Sequence, residues 1–232
     1  MKFAAHQPNF CPWIGYFAKL HTADVFVILD DVQMPGGQSY VSRTRIRGAS
    51  EGEPTWLSTP TRSEFPSTIN QVRLGLADGK WRARHLNVLK DRYRKAACFS
   101  DIYPILEACY AYEGDSLVEF NMGFLRAVAD LLDIRTPFRF SSEFAVSAIS
   151  DERLAHIGSQ LAAEAYISGA GADAYQTKET YARSGIRLEI MDVRLAPDPI
   201  PNIGLSIIDP LMTMGPEPVK AFLSTCRPAP TP

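Results

Sequence analysis

Apolar positions along the chain fall into two periods. Lys2–Ala5 and Asp24–Asp31 are short apolar runs, the second (D-V-F-V-I-L-D-D) partly β-branched and bounded by carboxylates, and both predict strands. Between them Trp13, Ile14, Phe17 and Leu20 recur with helical spacing. Pro12 suits the start of that helix, where its missing N–H is not needed. Strand, helix and strand in close succession predict a βαβ unit, and a strand apolar on both faces predicts a parallel sheet.

A loop headed by Pro35-Gly36-Gly37 is expected over Met34–Ser42. Arg43, Arg45 and Arg47 then alternate with Thr44 and Ile46, as in an extended edge segment. Three amphipathic helices follow over Trp81–Lys95, Asp101–Tyr112 and Ser116–Leu132. The first turns Trp81, His85, Leu86, Leu89 and Tyr93 inward, and the last carries the stripe Leu117, Phe120, Phe124, Val128, Leu131. The final third repeats the opening alternation. Helices are predicted over Asp151–Ala163 and Asp173–Ser184, and strands over Ala165–Ser168 and Arg187–Val193. Gly169-Ala170-Gly171 forms a turn and Gly185 a left-handed helix cap. Pro197, Pro199 and Pro201 stiffen the next connector, and Asp209-Pro210 and Gly215-Pro216 start two short terminal helices. The expected fold class is α/β: one domain over 1–226, with a mostly parallel Rossmann-like sheet and an inserted helical segment at about 80–133. A flexible Pro-rich tail is expected at 227–232.

Composition narrows the functional classes. With 24 basic and 26 acidic residues the net charge is −2, so no global field draws the chain to nucleic acid or an anionic membrane. No apolar run is long enough to span a bilayer, and the N-terminus lacks the apolar core of a secretory signal, so a cytoplasmic protein is expected. Cys11, Cys98, Cys109 and Cys226 show no C-x-x-C spacing. His6, His21, His85 and His156 form no metal-ligand pair, so no metal site is expected.

Candidate chemistry gathers where strands end, because ligands of open α/β sheets collect at the carboxyl ends of the strands. His6-Gln7-Pro8-Asn9, Asp30-Asp31-Val32-Gln33 and Ser168-Gly169-Ala170-Gly171 each put short polar side chains beyond an apolar strand. His6 is the natural proton carrier, and Asp31 would fix its tautomer in a catalytic pair. The alternative is that His6 caps a buried turn and Asp30 and Asp31 cap the next loop. Cys11, just before a helix, is either a thiolate candidate or a packed small hydrophobe. Arg43, Arg45 and the basic helix around Lys80, Arg82, Arg84, Lys90, Arg92, Arg94 and Lys95 suggest an anionic partner: phosphate, nucleotide or an acidic carrier protein. Asn202 and Ser206 are further candidates that could equally cap a terminal turn.

These segments together resemble the WbqC-like family of bacterial proteins, often encoded with O-antigen and natural-product biosynthesis genes. The matching pieces are His6-Gln7-Pro8-Asn9-Phe10, Pro12-Trp13-Ile14-Gly15-Tyr16-Phe17, Ala23–Phe26, Leu29–Gln33, Arg43, Arg45-Ile46, Trp56-Leu57, Trp81-Arg82, His85-Leu86 and Tyr166–Gly169. Pro201-Asn202, Leu205–Asp209 and Gly215-Pro216 complete them. The chain departs from the family pattern in three places. Tyr40–Arg45 loses three amides of W-Q-N-R-N-R, Cys11 replaces a leucine, and Ala196–Pro201 replaces a loop bearing histidine and tyrosine. Members are described as glycine transferases. The resemblance therefore implies an acyl or aminoacyl transferase that forms an amide from a carrier-bound thioester and an amine or amino sugar. Such an enzyme would take a phosphopantetheine-linked donor and need no other cofactor. Its expected binding residues are Gln7, Asn9, Tyr16, Asp30, Gln33, Arg43, Arg45, Ser168, Asn202 and Ser206. Two alternatives stay open. One is a nucleotide-dependent ligase or nucleotidyltransferase, although Gly15-Tyr16 stands where such enzymes carry Gly-His. The other is a non-catalytic sugar- or carrier-binding module.

Overall fold

The computed structural model describes residues 1–232 except 38, 51, 65, 76–79, 172–175, 198–199 and 231–232. The chain opens with β1 (Lys2–His6), α1 (Ile14–Thr22) and β2 (Val25–Ile28). Two small hairpins follow, one of β3 (Arg43–Ile46) with β4 (Thr55–Ser58) and one of β5 (Thr61–Arg62) with β6 (Arg73–Leu74). The inserted helices are α2 (Trp81–Tyr93), α3 (Phe99–Tyr110) and α4 (Leu117–Leu131). Then come β7 (Phe138–Phe140), α5 (Ser150–Gln160), β8 (Ala165–Gly169), α6 (Lys178–Arg183) and β9 (Arg187–Met191). The chain closes with α7 (Ile208–Met214), α8 (Pro216–Thr225) and β10 (Ala229–Pro230).

The main sheet runs β10-β9-β8-β1-β2-β7, parallel throughout except for β10. Alternation of side chains divides it into two faces. Ala4, Phe26, Ile28 and Ile167 meet α1, the inserted helices, α7 and α8. Phe3, Ala5, Val25, Val27, Tyr166 and Leu188 meet α5 and α6 through Ala155, Ile157 and Tyr181. Each fully buried side chain the size of Phe26 contributes about 1.5–3 kcal/mol, so both layers are needed. The α/β class is as the pattern predicted.

Local chemistry sets the ends of the elements. Ser116 caps α4, its Oγ accepting from the Glu119 amide at 3.3 Å. Gly185 ends α6 at φ 70°, and Gly215, at φ 84°, separates α7 from a helix with Pro216 in its first turn. Three expectations change. β2 stops at Ile28 rather than Asp31, because Asp30 leaves the ladder to accept from the Ser142 amide (3.0 Å) and hydroxyl (2.8 Å). β7 is an added parallel strand beside β2. The tail expected to fray instead pairs Ala229 and Pro230 antiparallel with Ile190 and Glu189 of β9. The predicted helix start at Asp173 and connector residue Pro199 lie outside the described residues.

Candidate functional site

From β1 the chain crosses to β2 on one side and returns later to β8 on the other, so strand order reverses between β1 and β8. A crevice opens there at the carboxyl ends, as this topology dictates. It is a cavity of about 720 Å³ whose lining includes His6 and Gln7 after β1, Ser168–Gly171 after β8, and Asp192 and Arg194 after β9. The first turns of α1 supply Trp13, Gly15, Tyr16 and Lys19. Gly15 lets the Trp13 ring fold back over the helix start: a Cβ there would lie 2.4 Å from the ring and displace it.

His6 ends β1 on the α1 face. Its ring lies 4.9 Å from that of Tyr16, and Nδ1 is 3.3 Å from the Gln7 carbonyl. A carbonyl only accepts, so Nδ1 carries the proton and a neutral ring leaves Nε2 bare. The Tyr16 hydroxyl donates to the same carbonyl at 3.2 Å. Burial, with a contribution from the Lys19 charge, pushes the His6 pKa down to about 3. Lys19 itself is 5% exposed, with Nζ donating to the Ala5 carbonyl at 3.2 Å and lying 6.0 Å from the Phe26 ring centre. Burial lowers its pKa to about 7. Two nitrogen bases, one neutral and one poised near neutrality, thus share one strand end.

The expected pairing of His6 with Asp31 does not form. β1 and β2 run in register with His6 opposite Ile28, and Asp31 lies beyond the end of β2, where the chain has turned towards α5. There its carboxylate receives Arg153 Nη2 of α5 at 2.6 and 2.5 Å, together with the Ser141 hydroxyl. Asp30 is also structural. It is 5% exposed and accepts from Ser141, Ser142 and Asn70, fastening β2 to the segment after β7.

Other candidates separate similarly. Gln7, Tyr16 and Ser168 line the cavity with His6, and Ser168 also hydrogen-bonds the Tyr166 hydroxyl. Asn9 is buried behind it in a turn in which its amide donates to the Gln7 carbonyl, so it does not reach the cavity. Gln33 is exposed and bridges to Thr68 through its backbone. Arg43 stacks on Trp56, its guanidinium 3.8 Å from the ring centre. Ser206 is buried, its Oγ accepting from the Ile208 amide at the start of α7, which is the capping alternative. Arg45 and Asn202 line a second cavity. Cys11 is buried, holds φ 41°, and its thiol is pushed well up by burial, which removes it as a thiolate candidate. Sequence reasoning missed Lys19. The available signal was a lone cation on a helix otherwise buried from Ile14 to Leu20.

A protein-family model described as the WbqC-like protein family matches residues 7–221. The chain belongs to that family. It is also similar to a protein described as uncharacterized protein Rv1507c from Mycobacterium tuberculosis, at 30% identity over 97% of this chain and 99% of the relative. No solved structure matches. In this WbqC-like chain no group of three or more His, Cys, Asp or Glu among the described residues could hold a metal ion. None of its described helices is long and apolar enough to cross a membrane.

Proposed function

We propose that this WbqC-like protein is an acyl or aminoacyl transferase that joins an amine to the acyl group of a carrier-bound thioester. The observation that carries the reading is Lys19. It is a buried amine, tied by one hydrogen bond to the Ala5 carbonyl, and it lines the same strand-end cavity as a histidine of fixed tautomer.

Amide formation needs a base near neutrality, because the attacking amine must lose a proton as its C–N bond forms. In this reading His6 Nε2 accepts a hydrogen bond from the amine and orients it. Neutral Lys19 takes the proton and returns it to the departing thiolate. The Gln7 side chain and Ser168 are the donors at the cavity wall for the developing oxyanion, the Ala170 amide being held by the Met191 carbonyl at 3.2 Å. The acceptor is a small amine or amino sugar. The exposed basic residues Arg84, Lys90, Arg94 and Lys95 of α2 and its C-terminal flank suit an acidic carrier bearing a phosphopantetheine-linked donor. The reading requires no metal.

The test is a glycyl-thioester carrier offered to a panel of amines. Amide product should form, with a rate that rises with pH through about 7, since only deprotonated Lys19 accepts a proton. Lys19→Met should lower that rate by roughly 10²–10⁴-fold. Absence of amide product, or full activity in Lys19→Met, refutes it. A second reading is a nucleotide-dependent ligase, for which the Gly169–Gly171 turn and Arg194, itself paired with Asp192, line the cavity wall. Amide formation from the free acid only when ATP is present would select that one.

A further inference from the structure

The second cavity, of about 770 Å³, lies between the end of β3 with the loop after it and residues 200–205. Ile203 and Gly204 line both cavities, so one short backbone segment is the wall between them. Two arginines enter the second cavity, and their states differ. Arg47 is neutralised, its guanidinium donating to the buried Asp209 carboxylate at 3.0 and 3.3 Å, with Tyr93 donating to the same carboxylate at 3.1 Å. Arg45 meets no carboxylate among the described residues. One Nη donates to the Gly204 carbonyl at 3.0 Å, the guanidinium lies 5.7 Å from the Trp56 ring centre, and Nε is buried with no hydrogen-bond partner. What distinguishes Arg45 is its place on the cavity wall with no carboxylate against it among the described residues, and a guanidinium there matches phosphate oxygens. The exposed carboxylate of Glu53 also lines this cavity and opposes an anion, whereas Asn202 offers an amide.

We infer that this cavity is a phosphate-binding compartment in which Arg45 holds the phosphoryl group of the donor, while the acyl end passes the Ile203-Gly204 wall into the His6 cavity. The assignment rests on the transferase reading only for which substrate bears the phosphate; the binding itself is measured apart from catalysis. The source of the phosphate is either a phosphopantetheine arm or a nucleotide.

Calorimetric titration of the full-length protein with inorganic pyrophosphate, 4′-phosphopantetheine and ADP tests the compartment. At least one should bind saturably, and the tighter of the last two names the source. Arg45→Gln should weaken that binding about tenfold or more, since a hydrogen bond to a charged group is lost. Arg45→Lys should restore part of it, and Glu53→Gln should tighten it. In the unaltered protein, phenylglyoxal modification of Arg45, followed by mass spectrometry, should slow when the phosphate compound is present. No saturable binding, undiminished binding in Arg45→Gln, or unprotected Arg45 would each overturn the compartment. Phosphate binding that depends on Arg45 without any amide product would instead spare the compartment and remove the transferase.

Discussion

Replacing Lys19 by methionine separates what the site does for chemistry from what it costs the fold. Methionine keeps the length of the side chain and removes the amine. Lowering the ammonium pKa from 10.5 to about 7 in the folded state corresponds to ~5 kcal/mol of destabilisation at neutral pH. The Ala5 carbonyl, released from its 3.2 Å hydrogen bond, takes back about 1 kcal/mol, leaving on the order of 3–4 kcal/mol of net stabilisation. The sign follows from proton counting. Between about pH 7 and 10.5 the unfolded chain holds the Lys19 proton more tightly than the folded one, so stability of the unaltered protein rises with pH across that window. Below it both states are protonated and the penalty is complete. Above it both are neutral and the penalty is gone. Urea denaturation at a series of pH values should therefore find Lys19→Met more stable at pH 7, with the gap narrowing towards pH 10. A variant less stable than its parent at pH 7, or a gap that does not change with pH, would refute the reasoning. In the proposed transferase this is the stability–activity trade that a catalytic Lys19 would carry.

Asp31→Asn should lower stability by about 2 kcal/mol in the same denaturation assay, because it breaks a partly buried pair with Arg153, yet leave the pH dependence of amide formation unchanged. Gly158→Ala should cost about 1–3 kcal/mol, since the added Cβ would sit 2.6 Å from Ile186 Cδ1 and 2.8 Å from Phe3 Cε1; a melting temperature equal to that of the parent contradicts it. Cys11→Ala should keep amide-forming activity within about twofold while losing about 1 kcal/mol of packing; abolished activity in a folded variant would reinstate the thiol.

Where a residue's role depends only on neighbours along the chain, the sequence was legible. β1, α1 and β2 follow from apolar runs and spacing, α4 from its stripe and Ser116, and the start of α8 from Gly215-Pro216, whereas α7 starts at Ile208, ahead of the Asp209-Pro210 pair, whose carboxylate instead holds Arg47. β7 was not legible, because Phe138-Arg139-Phe140 is too short to display a period. Asp31 failed as a partner for His6 for a different reason. His6 ends β1, but Asp31 lies past the end of β2, and its direction is set by Ser141 and Arg153, partners more than a hundred residues away in the sequence. Lys19 was overlooked because helical charges usually reach solvent. Only the enclosure of α1 by β8, β9 and α8 turns this one inward.

The antiparallel pairing of Ala229 and Pro230 with β9 bears on how open the edges of the sheet are to another chain. A bare edge strand is a template on which another polypeptide can hydrogen-bond. Here the flank of β9 is covered by a residue pair whose proline offers no N–H outward. At the far side β7 spans three residues, giving little length for a stranger to align with. Shortening the polypeptide before Ala229 would strip the first guard, and the resulting protein should associate sheet to sheet at concentrations where the intact one stays dispersed.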